Sequence, residues 1–186
     1  MDIIPTAIPD VLVIMPQRLG DARGWFAEIW NDSSFAAVGI DMDFVQDNHS
    51  YSAEAGTLRG LHYQAPPYAQ DKLVRCTRGA IFDVAVDVRK GSPTFGRWVR
   101  EELNAENGKQ VFVPKGFLHG FVSLLPNSEV QYKVSNYYNA ESDGSVRWDS
   151  LGIDWVLDAP PILSAKDADA PAFEYWASPF IFENSK

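Results

Sequence analysis

The sequence predicts an all-β sandwich or barrel with only a few short helices, on three observations. Phe82, Val84, Val86 and Val88 alternate with Asp83, Ala85 and Asp87, the period of a half-buried strand. Further short β-like runs flank this segment. The runs are punctuated by residues that supply fixed or positive φ, as closely spaced strands require.

In chain order the β-like runs are 11–15, 25–29, 44–49, 57–64, 72–77, 98–103, 110–113, 119–124 and 129–134. Between them lie Arg78-Gly79, Lys90-Gly91-Ser92-Pro93, Asn107-Gly108, Pro114-Lys115-Gly116 and Pro126-Asn127, each a place for the chain to reverse. Helix is expected only over 33–38, with Asn31 or Asp32 as its cap. From Leu157 onward, prolines and short apolar clusters predict a tail wrapped over the sheets. No internal repeat, low-complexity block or linker divides the chain, so residues 1–186 read as one domain.

Composition narrows the function classes. Apolar residues make up 46% and aromatics 13%, which argues for a globular fold and against disorder. A net charge of −9 argues against a nucleic-acid-binding surface, which needs a basic face, but leaves room for a small nucleotide ligand held by a few local cations. The single cysteine, Cys76, has no internal disulfide partner and reads as a small core residue. No charged-then-apolar leader opens the chain and no apolar run approaches the roughly 18 residues of a membrane span, so a cytoplasmic protein is expected.

Candidate chemistry concentrates in Leu58-Arg59-Gly60-Leu61-His62-Tyr63-Gln64, which sets a cation, a base and an amide on one strand. Imidazole accepts a proton near neutral pH, so His62 is a candidate base, which a carboxylate would orient. It reads equally as a core histidine satisfied by backbone hydrogen bonds. Strict alternation sends Arg59 and His62 to opposite faces of the strand, unless Gly60 hosts a bulge. Lys72 lies in an apolar segment where an ammonium could stabilise an oxyanion; alone, it reads better as a strand-edge lysine. Tyr132 shares a face with Val130 and Val134 and points inward, either as a proton donor or as a satisfied buried hydroxyl. His49, His62 and His119 are widely separated, with no His-x-His, so the sequence gives a metal little support.

Six segments together are recognisable: Gln46-Asp47-Asn48-His49-Ser50, the run 58–64, Gln70-Asp71-Lys72-Leu73-Val74-Arg75, Asp83-Val84-Ala85-Val86-Asp87, Pro114-Lys115-Gly116-Phe117-Leu118-His119-Gly120-Phe121 and Leu163-Ser164-Ala165-Lys166-Asp167. In order and spacing, from about residue 2 to about residue 171, the chain resembles the dTDP-4-dehydrorhamnose 3,5-epimerase family. The resemblance implies a cupin-type jelly roll that forms a homodimer, needs no metal or organic cofactor, and acts on dTDP-4-dehydro-6-deoxy-α-D-glucose. It implies His62 as general base, Asp167 as its orienting carboxylate, Tyr132 as the acid on the opposite face and Lys72 as the enolate stabiliser. It further implies substrate contacts from Arg23, Glu28, Gln46, Asn48, Arg59, His119, Asp143 and Lys166, with Tyr138 stacking on the thymine ring.

Two positions depart from the family's pattern. Leu19 stands where phenylalanine is frequent, and Asp143 where glutamate is usual. Three other readings compete with the double epimerase: an epimerase of one centre only, a non-catalytic sugar-binding jelly roll, and a metal-dependent cupin oxygenase. The second predicts a lost base, acid or dyad, and none is lost.

Overall fold

A computed structural model describes residues 1–183; the last three residues of the tail read from the sequence lie outside it. The strands are β1 (Asp2–Pro5), β2 (Leu12–Met15), β3 (Arg18–Asp21), β4 (Gly24–Ala27), β5 (Gln46–Ser52), β6 (Leu58–Gln64) and β7 (Lys72–Arg78). There follow β8 (Ala80–Asp87), β9 (Trp98–Asn104), β10 (Gln110–Val113), β11 (Phe117–Ser123), β12 (Ser128–Val134) and β13 (Asp143–Ser145). Helices are few: α1 (Asp32–Ala36), α2 (Ala165–Ala168) and a 3-10 turn at Phe173–Tyr175. All the strand pairings are antiparallel.

Six strands in the order β1-β2-β10-β7-β12-β5 form one sheet and five in the order β13-β6-β11-β8-β9 form the other, a jelly-roll sandwich. β3 and β4 form a separate hairpin. Between the sheets Val13, Val74, Cys76, Ile81, Ala85, Leu103, Val111, Phe121 and Val130 make the central core. Burial pushes the Cys76 thiol up to about 11, in keeping with an inert core residue.

Each sheet is also covered on its outer face. α1 brings Phe35 and Ile40 onto Ile14, Leu73 and Phe112 of the six-stranded sheet. Its cap is Asn31, whose side chain accepts the Ser34 N–H at 3.1 Å; the helix begins one residue before the expected start and ends two short of Val38. Over the five-stranded sheet, Trp155, Leu163, Trp176 and Phe180 from the C-terminal segment pack on Leu58, Val84, Val86 and Leu118.

The reading of β8 as half-buried is corrected, because that cover lies on its Val84–Val86 side while the side of Ala85 faces the other sheet. Both of its faces are shielded, and Asp83 and Asp87 are 2% and 0% exposed. Each carboxylate tolerates burial because it is partnered, Asp83 by His119 and Asp87 by Arg89, Ser92 and Thr94. The edge-lysine reading of Lys72 is corrected as well: β7 lies between β10 and β12, inside the sheet. Sequence periodicity also misses β1, β3 and β13, which are only three or four residues long.

The parity problem on β6 is resolved by a bulge. His119 on β11 pairs with His62, and Phe121 with Arg59, so two residues of β6 oppose one of β11. Gly60 sits at the extra position with φ 131°. A Cβ there would lie 2.7 Å from the Gly120 Cα, and a Cβ on Gly120 would lie 2.8 Å from the Arg59 carbonyl oxygen. The bulge therefore needs a glycine on both strands. Gly120→Ala is expected to lower the melting temperature by roughly 2–12 °C. Thermal unfolding monitored by circular dichroism checks this, and an unchanged midpoint would show that β6 can shift without penalty.

Candidate active site

Because of the bulge, Arg59 and His62 line the same cavity, of about 380 Å³, to which both sheets contribute. His62 and His119 come from the five-stranded sheet, whereas Lys72 and Tyr132 come from β7 and β12 of the other. An adjoining lobe of about 250 Å³ shares His62, Lys72, Tyr132 and Lys166 and adds Gln46, Asn48, Tyr138 and Asp143. Eleven of the thirteen site residues expected from the sequence thus meet in one place.

The other two do not. Arg23 and Glu28 belong to the β3–β4 hairpin and the turn after it, where Arg23 pairs with Asp21 and Glu28 accepts from Asn31 at 3.0 Å. Neither lines the cavity.

His62 Nε2 lies 2.5 Å from Asp167 Oδ1. An ionised carboxylate only accepts, so Nε2 carries the proton and Nδ1 is the basic nitrogen. Asp167 is 2% exposed on α2. Ser164 caps that helix and donates its hydroxyl to Asp167 Oδ2 at 2.9 Å. Burial by itself would raise the Asp167 carboxyl, but His62, Ser164 and the Gly60 N–H together hold it below the usual carboxylate range. The carboxylate stays charged, and the imidazole is fixed in orientation and tautomer.

On the opposite wall, burial lowers the Lys72 ammonium to about 8; Asp83 and Asp143 work against that fall and Lys166 adds to it. The Tyr132 phenol is raised, first by burial and then by Asp143, with Arg59 opposing, so it remains a proton donor. Behind them His119 Nε2 meets Asp83 Oδ2 at 2.8 Å. Burial lowers the His119 pKa despite the Asp83 charge, and Lys72 and His62 lower it further. At the mouth, Lys166 donates to Asp143 Oδ2 at 2.6 Å, and the exposed ring of Tyr138 stands beside them. Arg59 is held by the Tyr51 carbonyl at 2.8 Å.

Sequence reasoning missed two supporting residues. Asp83 falls on the polar side of the β8 alternation, which a single sequence assigns to solvent although it faces the other sheet and pairs with His119. Ser164 was legible, since Ser-x-x-Asp at 164–167 is the spacing of a capping box.

A base ordered by a buried carboxylate, a phenol on the facing wall and an ammonium beside them define a centre for moving protons on and off carbon. The three cations Arg59, Lys72 and Lys166 line a cavity in an otherwise acidic chain, which suits an anionic substrate.

Comparison with known proteins specifies this class. Residues 5–175 match the family described as dTDP-4-dehydrorhamnose 3,5-epimerase. The enzyme of that name from Salmonella typhimurium is 51% identical over 177 residues, covering 94% of this chain and 96% of that protein. A Bacillus anthracis dTDP-4-dehydrorhamnose 3,5-epimerase, solved with TDP and PPi bound, superposes with a TM-score of 0.90 at 48% identity, covering 92% of this chain and 99% of the other. The dTDP-6-deoxy-D-glucose-3,5-epimerase of Legionella pneumophila, solved with dTDP-4-keto-L-rhamnose, gives a TM-score of 0.94 at 42% identity and covers 98% of each chain. The chain belongs to the dTDP-4-dehydrorhamnose 3,5-epimerase family.

Proposed function

We infer that the protein inverts C3 and C5 of dTDP-4-dehydro-6-deoxy-α-D-glucose, giving dTDP-4-dehydro-β-L-rhamnose. The observation that carries this is the placement of His62–Asp167 and Tyr132 on facing walls of one cavity. Inversion at carbon needs a base on one side and an acid on the other. The C4 ketone makes both neighbouring C–H bonds acidic. His62 takes the proton, the electron pair of the broken C–H bond delocalises onto the C4 oxygen, and the Lys72 ammonium stabilises that oxyanion. Tyr132 then delivers its own proton to the opposite face, and solvent restores both groups.

Arg59 and Lys166 supply charge for the diphosphate, Tyr138 supplies a ring for the thymine, and Gln46, Asn48, His119 and Asp143 supply polar contacts. A nucleotide-sugar substrate supports a cytoplasmic setting for the reaction.

Arg23 and Glu28 enter this scheme through a homodimer. The hairpin that precedes Glu28 exposes Leu19, Trp25 and Phe26 at 59%, 58% and 69%, an apolar surface suited to seating on a second copy. Leu19 in place of a ring weakens the contact this hairpin can offer a nucleotide. Asp143, one methylene shorter than glutamate, is engaged by Lys166 within its own chain.

The direct test is proton NMR of the substrate with the enzyme in D2O. Deuterium is expected at both C3 and C5, and dTDP-L-rhamnose is expected once a reductase and NADPH are added. Exchange at one carbon alone would identify a single-centre epimerase. Tyr132→Phe is expected to keep wash-in of deuterium while product formation falls by about 10²–10⁴-fold. Undiminished product formation would mean that another group is the acid.

A further inference from the structure

Gln64 closes the Leu58–Gln64 motif, and the scheme above gives it no part. It is 5% exposed and two residues from His62 on the cavity side of β6. Its side-chain amide is spent on backbone groups of two loops. Nε2 donates to the Tyr68 carbonyl at 2.6 Å and to the Tyr137 carbonyl at 3.1 Å, while Oε1 accepts the Asn139 N–H at 2.8 Å. One carboxamide therefore grips the peptide groups on either side of Tyr138. The Tyr138 N–H itself is taken by Gln46 Oε1 at 3.1 Å.

The ring this clamp holds is 61% exposed at the cavity mouth. An exposed aromatic on a free loop would lose backbone and side-chain entropy on meeting a planar ligand; a fixed backbone has already met part of that cost. The clamp also ties the loop to the strand that carries the base, so the distance from Tyr138 to His62 is set by two residues of β6.

We propose that Gln64 is a positioning residue: it presets Tyr138 as a stacking platform for the nucleotide base and fixes that platform's register relative to His62. The proposal deepens the function inferred above and rests on the Tyr138 stacking in it. Its chemical reason for glutamine is specific. Only a carboxamide offers two donors and an acceptor in one plane, and the site uses all three.

The test is a double-mutant cycle on the full chain, read by calorimetric titration with dTDP and by steady-state kinetics. Tyr138→Ala and Gln64→Leu are each expected to weaken dTDP binding by about tenfold, with KM rising alongside and kcat falling by less. Gln64→Leu added to Tyr138→Ala is expected to bring little further loss, because the residue acts through that ring. Losses that multiply, or a Gln64→Leu protein that binds dTDP normally while Tyr138→Ala does not, would overturn the proposal. Normal dTDP binding by Tyr138→Ala would instead overturn the stacking reading and the proposal with it.

Should the leucine variant fail to fold, Gln64→Glu makes the same measurement. It keeps the size and the acceptor for Asn139 but turns an ionised oxygen toward two carbonyls. Its dTDP affinity is expected to be low at neutral pH and to recover toward that of the unsubstituted protein as the glutamate protonates. Affinity equal to that of the unsubstituted protein at every pH would overturn the clamp.

Discussion

His62→Ala is expected to fold normally and to lose epimerisation by about 10⁴-fold, the upper end of what a positioned base supplies. The expectation is that large because in the proposed scheme one imidazole serves both carbons, and each enolate forms through its Nδ1. The Asp167 carboxylate, 2.5 Å from Nε2, should show a smaller but parallel loss in Asp167→Ala. Without it the ring can adopt the other tautomer and other orientations, so wash-in at C3 and C5 should slow together. Deuterium exchange at both positions, with circular dichroism as the folding control, checks the pair. Near-full exchange in folded His62→Ala protein would remove this residue from the chemistry and reduce the dyad to a packing feature.

Lys72→Met carries the second large effect, a fall in kcat of about 10²–10³-fold, as for removal of one preorganised oxyanion partner. Its pH signature is separate. In the proposed scheme the ammonium is the working form, and burial lowers it to about 8, so kcat/KM is expected to decline as pH rises through that value. The phenol of Tyr132 is raised above its ordinary range and cannot be the source of that limb. Lys72→Arg should keep a cation at higher pH and move the limb upward; a limb left near 8 would assign it to another group. Stability runs the other way. The folded chain holds this proton less tightly than the unfolded chain, so between about 8 and the ordinary lysine range, stability increases with pH while activity is lost.

Much of this architecture was legible in the residues. β8 and β10 are plain from periodicity and apolar runs, and the turn residues at 90–93, 107–108, 114–116 and 126–127 fall between strands, as does Gly79, with Arg78 closing β7. What periodicity could not show is the environment of a strand. The polar alternation of β8 reads as one wet face, yet that face looks inward at the other sheet, while Trp155, Trp176 and Phe180 cover the valine face instead.

The site was legible in a similar, partial way. The motifs name nearly all of its members, but alternation would have parted Arg59 from His62. Gly60 hinted at the remedy; the need for a second glycine, Gly120, appears only once β6 and β11 are laid side by side. Lys72 looked like an edge residue because nothing in a single sequence says which strands are central. Arg23 and Glu28 mark the limit of one chain: their positions were suggested by resemblance alone, and within one subunit they stay away from the cavity.

The partnership of His62 with Asp167 spans 105 residues of chain. The base is delivered by β6, the sixth of thirteen strands, but its orienting group arrives with a short helix from the segment that wraps the outside. During synthesis, both sheets can be nearly complete while the imidazole still lacks its orienting partner. The same late segment brings Trp176 and Phe180 onto the five-stranded sheet, so a chain interrupted before Asp167 would lack both the orienting carboxylate and part of the outer cover.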